Sequence, residues 1–388
     1  MQDKSSRRLF LATGLALPAT ALASASRREP TTSAPTSPLA DTPKFSYRTL
    51  GNTGLKVTSM GFGCMITSDP SVIQKAADLG VTYFDTARGY QGGNNERMVG
   101  AAIKAHRKNL VLSTKSGATD KKTAMEHLET SLREIGTDFV DIWYMHAKSK
   151  KTDINDELLE AHAQAKKDGK IRFSGVSTHG GHAEIFPAAI EKKLDVILTS
   201  YNFSMDPSTD GLIESAAKAG IGVVGMKVMA GGFRRVKPGE KLAETLKREG
   251  AMLAALKWVL KNPNIGTTIP SITDMDQLDE NIRSMSEPFS EKDKDTLAAQ
   301  LDFIRPLYCR SCGSCSGACA QGLPVPDVLR FLSYAEGYGQ FALGRQRFLE
   351  LPEDLRTARC SDCSGCTIQC PNGVRVADRL QRAQELFA

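Results

Sequence analysis

The sequence has no apolar run long enough to cross a membrane and little that would suit a nucleic acid. The apolar stretch at residues 11–23 is about a dozen residues long, whereas a helix spanning a ~30 Å hydrocarbon core needs about 20. The formal net charge is only +6, and no basic run with interleaved aromatic residues is present. Only one cysteine, Cys64, precedes residue 309. We therefore expect no membrane span and no nucleic-acid partner.

The N-terminus is typical of an export signal. Residues 6–11 read SRRLFL, a twin-arginine pattern, and the short apolar stretch after it ends at a small-residue cleavage site, ALA at 21–23. Residues 26–44 are rich in Pro, Ser and Thr and suit a flexible linker. We expect a signal peptide over residues 1–25, a linker over 26–44, and export by the twin-arginine route to the periplasm or another extracytoplasmic space.

From residue 45 to about residue 284 the chain alternates short apolar segments with amphipathic ones, as in parallel βαβ units. A hairpin joined through GNTG at 51–54 precedes eight predicted strands: 58–63, 81–85, 109–114, 139–145, 171–176, 196–200, 222–227 and 265–269. Eight strand–helix pairs of this size predict an α/β fold, a TIM (β/α)8 barrel. The competing fold, a doubly wound open sheet, is disfavoured because no G-x-G-x-x-G opens the first helix.

The predicted strand ends bring together four residue types that suit carbonyl reduction. Asp85 closes the second strand, Tyr90 follows it, and Lys115 and His146 close the third and fourth. A TIM barrel places its chemistry at this end of the strands. Tyr90 would protonate the carbonyl oxygen and His146 would orient it, while the Lys115 ammonium would favour the Tyr90 phenolate and Asp85 would hold Lys115. Singly, each residue is often a loop cap or an ion-pair partner; jointly they predict an active site.

Five motifs resemble those of the aldo/keto reductase family: YRTLGNTG (47–54), FDTARGY (84–90), STK (113–115), DIWYMH (141–146) and GVS (175–177). The resemblance extends from about residue 45 to residue 282. It implies that the four residues form the family's catalytic tetrad. It also implies NAD(P)H-dependent reduction of an aldehyde or ketone, or oxidation of the alcohol.

The same resemblance points to candidate cofactor-binding residues, with some departures. Ser177 and Asn281 stand where the family's carboxamide and adenine contacts are expected. Thr178 replaces the usual Asn, and Met226, followed by Lys227, stands where an aromatic ring usually stacks on the nicotinamide. Residues 269–273 lack the Arg that many relatives place against a 2′-phosphate, so the sequence leaves both NADP and NAD as candidate cofactors.

The last 80 residues hold eight of the nine cysteines, in two runs of the form C-x2-C-x2-C-x3-C. The runs are Cys309, Cys312, Cys315 and Cys319, then Cys360, Cys363, Cys366 and Cys370. This spacing is typical of bacterial-type [4Fe–4S] ligands, in which the fourth Cys of each run binds the other cluster. We therefore predict two clusters, with Cys319 joining the second triad and Cys370 the first. Zinc sites and disulfides are the alternatives.

The segment between the two cysteine runs, residues 325–359, is too long for a compact β ferredoxin and has a helical pattern. It predicts a small helical ferredoxin-like domain over residues 301–388, after a barrel over 45–300. This arrangement resembles the aldo/keto reductase branch that carries ferredoxin domains.

Three functions are compatible with these features. In the first, an oxidoreductase acts on a small carbonyl or alcohol substrate, and its clusters exchange electrons with a redox partner protein. In the second, the chain is an electron-transfer or binding module whose barrel is not catalytic. In the third, the enzyme is retained and the clusters are purely structural.

Overall fold

The computed structural model of the chain describes residues 44–231 and 250–388. The predicted signal peptide and all of the predicted linker except Lys44 lie outside the described residues. Within the described part, no helix is both long enough and apolar enough to span a bilayer.

A two-stranded hairpin lies against the N-terminal end of the barrel. Strand β1 (Tyr47–Thr49) pairs antiparallel with β2 (Lys56–Thr58). The turn between them touches the barrel directly, because a Cβ on Gly51, whose φ is +53°, would lie 2.3 Å from the backbone nitrogen of Gly222. The neighbouring Leu50 is fully buried in the apolar interior of the barrel. The predicted hairpin is therefore present and closes the barrel floor.

Eight parallel strands follow and form a single sheet in sequential order. They are β3 (Phe62–Gly63), β4 (Tyr83–Asp85), β5 (Val111–Ser116), β6 (Val140–Met145), β7 (Ile171–Thr178), β8 (Val196–Ser200), β9 (Gly222–Met226) and β10 (Thr267–Thr268). Parallel bridges from Met60 to Thr268 and from Gly63 to Ser271 join the last strand to the first. The predicted barrel is confirmed. Its first and last strands are shorter than predicted because they pair with each other only through these two bridges.

Helices cover the outside of the sheet and follow the strands. They are α1 (Pro70–Leu79), α2 (Asn94–Ile103), α3 (Lys121–Ile135), α4 (Asp156–Lys167), α5 (His182–Glu191), α6 (Ser208–Lys218), α7 (Ala251–Leu260), α8 (Met275–Arg283) and α9 (Glu291–Ile304). Local sequence sets their ends: the Asp120 carboxylate accepts a hydrogen bond from the backbone N–H of Thr123 at 2.8 Å, and Gly136 ends α3 with φ +75°.

The C-terminal tail is helical, as predicted, and has its own apolar core. Its helices are α10 (Val325–Glu336), α11 (Phe341–Leu349), α12 (Glu353–Thr357) and α13 (Val376–Phe387). Leu332, Phe348 and Phe387 are buried together where α10, α11 and α13 meet. An ion pair between Glu336 and Arg379, 2.6 Å apart, ties α10 to α13.

The tail packs on the C-terminal end of the barrel, and the two belong to one compact unit. Gly337, just after α10, approaches Gly231, which follows β9, so closely that a Cβ on Gly337 would lie 1.6 Å from the Gly231 carbonyl oxygen. Asn202, just after β8, donates a hydrogen bond to the Tyr308 hydroxyl at 3.3 Å. The tail therefore covers the edge of the barrel at which the strands end.

Candidate active site and cysteine centres

The four predicted catalytic residues lie at the C-terminal ends of three neighbouring strands. Asp85 is the last residue of β4, Lys115 is the next-to-last residue of β5, and His146 directly follows β6. Tyr90 begins a short turn after β4, and its backbone N–H donates to the Ala87 carbonyl at 3.1 Å. Since all strands of a parallel barrel end at one face, these residues meet there.

Lys115 forms hydrogen bonds with two of the other three residues, Asp85 and Tyr90. Its Nζ is buried and donates hydrogen bonds to Asp85 Oδ2 at 2.5 Å, to the Thr86 carbonyl at 2.7 Å and to the Tyr90 hydroxyl at 3.3 Å. The other carboxylate oxygen of Asp85 accepts a hydrogen bond from Ser113 Oγ at 2.6 Å. Asp85 thus fixes the ammonium group, and the ammonium group lies within reach of the phenol.

The electrostatics of this group differ from the sequence expectation in one respect. Burial raises the pKa of Tyr90 above its ordinary value, and the opposing effect of Lys115 is too small to reverse this. The reason is geometric: Lys115 is 3.3 Å from the phenol but 2.5 Å from the Asp85 carboxylate, which neutralises much of its field. Although burial alone would lower the pKa of Lys115, Asp85 and Tyr90 raise it above its usual value. The phenol is therefore neutral and the ammonium charged at neutral pH.

His146 lies beside Tyr90, with their ring centroids 5.9 Å apart and the planes nearly perpendicular. Burial, followed by the nearby Lys115 ammonium and the Arg347 guanidinium, holds the pKa of His146 well below its ordinary value. Its imidazole is therefore neutral and carries one N–H. A neutral imidazole and a neutral phenol side by side give two hydrogen-bond donors for one carbonyl oxygen.

The candidate cofactor residues are only partly available to a ligand. The Ser177 hydroxyl accepts a hydrogen bond from the backbone N–H of Ala147 at 2.9 Å, and the Thr178 hydroxyl donates to the Gly180 carbonyl. Met226, at the end of β9, is buried in the apolar interior of the barrel. These three side chains are thus engaged by the protein itself.

Asn281 and Lys227 differ from those three. The Asn281 side chain is fully buried, yet among the residues that the structure describes neither its amide nitrogen nor its amide oxygen has a hydrogen-bond partner. An amide in this state suits a ligand with its own donor and acceptor, such as an adenine edge. Lys227 has a left-handed backbone, with φ +57°, and the Asn202 side chain donates to its carbonyl at 3.0 Å. Asn281 therefore fits a nucleotide site better than Ser177 and Thr178 do, whereas the Lys227 ammonium faces two tyrosine rings of the tail.

The eight tail cysteines form two groups that cross between the runs. Cys309, Cys312 and Cys315 line one small pocket together with Cys370 from the second run. Burial, and to a lesser extent the other thiols of that same group, raise the pKa of Cys309 to about 11. In the other group, burial first and then Cys319 raise the pKa of Cys360. The fourth cysteine of each run thus lies with the other triad, which is the arrangement that the spacing predicts.

Hydrogen-bond donors surround these thiols. Cys309 Sγ accepts from the backbone N–H of Ser311 at 3.3 Å, and Cys370 Sγ accepts from that of Asn372 at 3.4 Å. The Asn372 side-chain amide also donates to Cys312 Sγ at 3.4 Å. None of the nine cysteines is in a disulfide bond. Within residues 44–231 and 250–388 no group of three or more His, Cys, Asp or Glu residues is placed to hold a single metal ion. A four-iron cubane takes one thiolate on each iron, and each of the two groups brings together four thiols.

Comparison with known proteins agrees with this geometry. The model of the aldo/keto reductase family matches residues 68–302, which is more than half of the chain. The chain belongs to the aldo/keto reductase family. A second model, the 4Fe-4S dicluster domain, matches residues 308–375. This aldo/keto reductase therefore carries an iron–sulfur domain after its barrel.

Individual relatives resemble the barrel part of this aldo/keto reductase. The uncharacterized oxidoreductase YqkF of Bacillus subtilis is 27% identical over 282 residues, covering 61% of this chain and 90% of its own. L-galactose dehydrogenase of Arabidopsis thaliana is 27% identical over 307 residues, covering 68% and 96%. Among solved structures, a thermostable aldo-keto reductase in complex with the inhibitor epalrestat is 28% identical, with a TM-score of 0.54 over 66% of this chain and 99% of that chain. The holo form of an aldo-keto reductase from Bacillus halodurans, 24% identical with a TM-score of 0.57 over 66% of this chain and 96% of that chain, shows the same fold.

The sequence interpretation missed the tail residues that reach the barrel mouth. The Tyr334 and Tyr338 ring centroids, on α10 and just after it, lie 4.6 and 4.9 Å from the Lys227 ammonium. Arg330, one turn before Tyr334, donates to its hydroxyl at 3.0 Å. Cys309 lines the same pocket as these side chains. The amphipathic pattern of α10 indicates that one face of this helix is buried. No signal in the sequence shows that this face also covers the barrel mouth, the C-terminal end of the barrel strands.

Proposed function

We propose that the chain reduces a small aldehyde or ketone, or oxidises the corresponding alcohol, at the mouth of its barrel. The observation that carries this proposal is the contact between the Tyr90 hydroxyl and the Lys115 ammonium, with Lys115 held by Asp85. A buried ammonium beside a neutral phenol has no evident structural purpose at the C-terminal end of the barrel strands. It does suit a proton transfer.

The tetrad divides the work between a proton donor and three supporting groups. Tyr90, with its raised pKa, holds the proton that the carbonyl oxygen receives, while Lys115 stabilises the phenolate that remains. Asp85 keeps Lys115 charged. Neutral His146 donates its N–H to the same carbonyl oxygen and so fixes the substrate. A bound NADPH or NADH would supply the hydride, with Asn281 as the nucleotide contact that its unpaired amide favours. Ser177, Thr178 and Met226 are further candidate contacts.

We further propose two [4Fe–4S] clusters, one held by Cys309, Cys312, Cys315 and Cys370, the other by Cys360, Cys363, Cys366 and Cys319. When the alcohol is oxidised, its hydride would pass to the nucleotide. Two bound clusters would then take the two electrons of that hydride, one each, which returns the nucleotide to its oxidised form and releases a proton. The position of Cys309 supports electron exchange with the barrel, because this thiol lines the pocket that Lys227 and Tyr334 also line. Electrons would then pass on to a redox partner protein.

Contacts between the cysteines and the tail core favour a second role for the clusters. Cys309, Cys315, Cys319, Cys360 and Cys370 pack against the apolar core of α10, α11 and α13. Clusters at these positions would hold the tail together, and with it the cover over the barrel mouth. This role needs no electron transfer.

The twin-arginine pattern at residues 6–11 supports the further proposal that the protein is exported to an extracytoplasmic space. In this proposal, residues 1–25 are the signal, 26–44 the linker, 45–300 the reductase barrel and 301–388 the cluster domain.

Replacing Tyr90 with Phe tests the reductase proposal. Steady-state rates are measured for a panel of aldehydes with NADPH and with NADH, and for the alcohols with the oxidised nucleotides. Removing a general acid lowers kcat by about 10²–10⁴-fold. Tyr47→Phe, at an exposed tyrosine on the floor hairpin, is the matched control and should turn over like the wild type. A Tyr90→Phe protein as active as this control would remove the tetrad assignment.

The role of the clusters is tested on protein purified without oxygen. Visible absorbance and EPR spectra are recorded before and after adding the alcohol substrate with its nucleotide. Bleaching of the clusters by substrate supports electron exchange with the barrel. Full turnover with unchanged spectra supports the structural role instead.

A further inference from the structure

A pocket next to the tetrad is shared between the barrel and the tail. The ends of β7, β8 and β9 supply His179, Ser200 and Lys227, and the tail supplies Tyr308, Arg330 and Tyr334. The tetrad occupies the ends of β4, β5 and β6 on the same face. A substrate bound over Tyr90 and His146 therefore has this pocket beside it.

The pocket brings together two cations, Lys227 and Arg330, of which only Arg330 has a carboxylate partner among the described residues. In the described part of the chain, no Asp or Glu oxygen lies within 4.0 Å of the Lys227 ammonium, which instead faces the rings of Tyr334 and Tyr338. Lys115, by contrast, is paired with Asp85 at 2.5 Å. A partly buried ammonium group without a counter-ion is costly, and an anionic ligand relieves that cost.

Arg330 adds a second cation with unused donors. Its guanidinium gives one hydrogen bond to Asp327 Oδ1 at 2.5 Å and one to the Tyr334 hydroxyl at 3.0 Å. A guanidinium has five N–H donors, so these two contacts orient the group and leave others for a ligand. Tyr334 lies between Arg330 and Lys227 and touches both.

The titration of neighbouring groups reflects the same excess of positive charge. Burial, then Arg330 and Lys227, hold the pKa of His179 well below its ordinary value. Although burial alone would raise the pKa of Tyr334, Lys227 and Arg330 lower it to about 8. His179 Nδ1 is buried and has no hydrogen-bond partner within residues 44–231 and 250–388. The pocket thus disfavours further positive charge and favours an anion.

We propose that Lys227 from the barrel and Arg330 from the tail bind an anionic group of the carbonyl substrate, a carboxylate or a phosphate. This inference rests on the proposed reductase function and adds the class of substrate. It also gives the cluster domain a direct part in substrate recognition. Neutral aldehydes lack the group that these two cations bind and are the poorer substrates.

Anion binding is measured first, without turnover, on the cluster-containing protein. Isothermal titration calorimetry with malonate and with inorganic phosphate separates the two sources of charge, and neutral malonamide controls for shape. We expect one of the anions to bind and malonamide not to bind at the same concentration. Arg330→Gln should weaken the anion at least tenfold. Arg345→Gln, at an exposed arginine on α11, should bind like the wild type.

Kinetics then compare matched substrates: succinic semialdehyde with butyraldehyde, and glyceraldehyde 3-phosphate with glyceraldehyde. Arg330→Gln should lower kcat/KM for the charged member of one pair by about 10–100-fold, mainly through KM, and for the neutral member far less. Lys227→Gln repeats the test from the barrel side, in case the tail variant loses its EPR signals. Equal binding of malonate and malonamide, or an unchanged preference in both variants, overturns the inference. If no aldehyde is reduced but anion binding still depends on Arg330, the reductase proposal fails and the anion pocket stands.

Discussion

Removing the charge of Lys115 should destabilise the protein far more than removing the whole Asp85–Lys115 pair. Lys115→Met keeps the length of the side chain but deletes all three hydrogen bonds of its Nζ. The Asp85 carboxylate, 1% exposed, is then left with one hydrogen bond, from Ser113 Oγ. An unpaired charge in such a site costs about 3–5 kcal/mol. Replacing both partners with Met and Leu removes the charge altogether and should bring stability back to within about 1–2 kcal/mol of the wild type.

The single variant should also have a distinctive pH dependence. Burial is the largest influence on Asp85 and raises its pKa, while Lys115 is the main group that opposes it. Without Lys115 the folded-state pKa rises further above that of the unfolded chain. The folded protein then binds the extra proton, so stability is greatest at low pH and is lost as the pH rises through the folded-state pKa. The double variant lacks the carboxylate and should not show this slope.

Urea-induced unfolding followed by circular dichroism, under nitrogen at two pH values, measures both effects. Aldehyde reduction by the same samples separates stability from catalysis, because the double variant should regain stability without regaining activity. If Lys115→Met is no less stable than the double variant, or if its stability rises with pH, the account of Asp85 and Lys115 as a mutually compensating buried pair is wrong.

Three further outcomes follow from the geometry. Gly337→Ala should destabilise the contact between tail and barrel by about 1–3 kcal/mol, and limited proteolysis should then release the tail faster. Gly211→Ala is the control and should have no such effect, because a Cβ at Gly211 on α6 meets open space. Burial holds the pKa of His162 at about 3, so the unfolded chain takes up a proton at a higher pH than the folded protein does. The free energy of unfolding therefore falls as the pH drops from about 6.5 towards 3, by about 1 kcal/mol at about pH 5.5. His162→Phe should abolish this fall in urea titrations. Cys370→Ser should alter the same EPR signal as a substitution in the first cysteine triad, and Cys319→Ser the same signal as one in the second; the opposite pairing would exclude the crossed arrangement.

Much of the fold and of the tetrad could be predicted because both follow from local pattern. Strand 196–200 is predicted to the residue, and the other strands differ mainly at their ends. Once the strands are parallel, residues at their C-terminal ends must share one face, so Asp85, Lys115 and His146 meet without further information. The crossed cysteine pairing likewise follows from spacing alone.

The remaining features depend on contacts between distant segments. Lys227 and Tyr334 are far apart in the chain, and only the docking of α10 on the barrel brings them together. Whether a hydroxyl is free for a ligand is equally hidden, because Ser177 and Thr178 are engaged by backbone groups of nearby loops. The raised pKa of Tyr90 could not be predicted from the sequence either, because it depends on how far Lys115 lies from the phenol and from Asp85.

Helix α10 has a consequence for how such an enzyme can change over time. Its 12 residues include Arg330 and Tyr334, which face the barrel mouth, and Leu329 and Leu332, which hold the cluster domain together. A relative that exchanged this helix would acquire a different lining for the pocket between barrel and tail while the barrel stayed the same. The same exchange would disturb the packing around the cysteines. Selection for a new substrate and selection for a stable metal centre therefore act on one short segment, and neither can proceed there independently of the other.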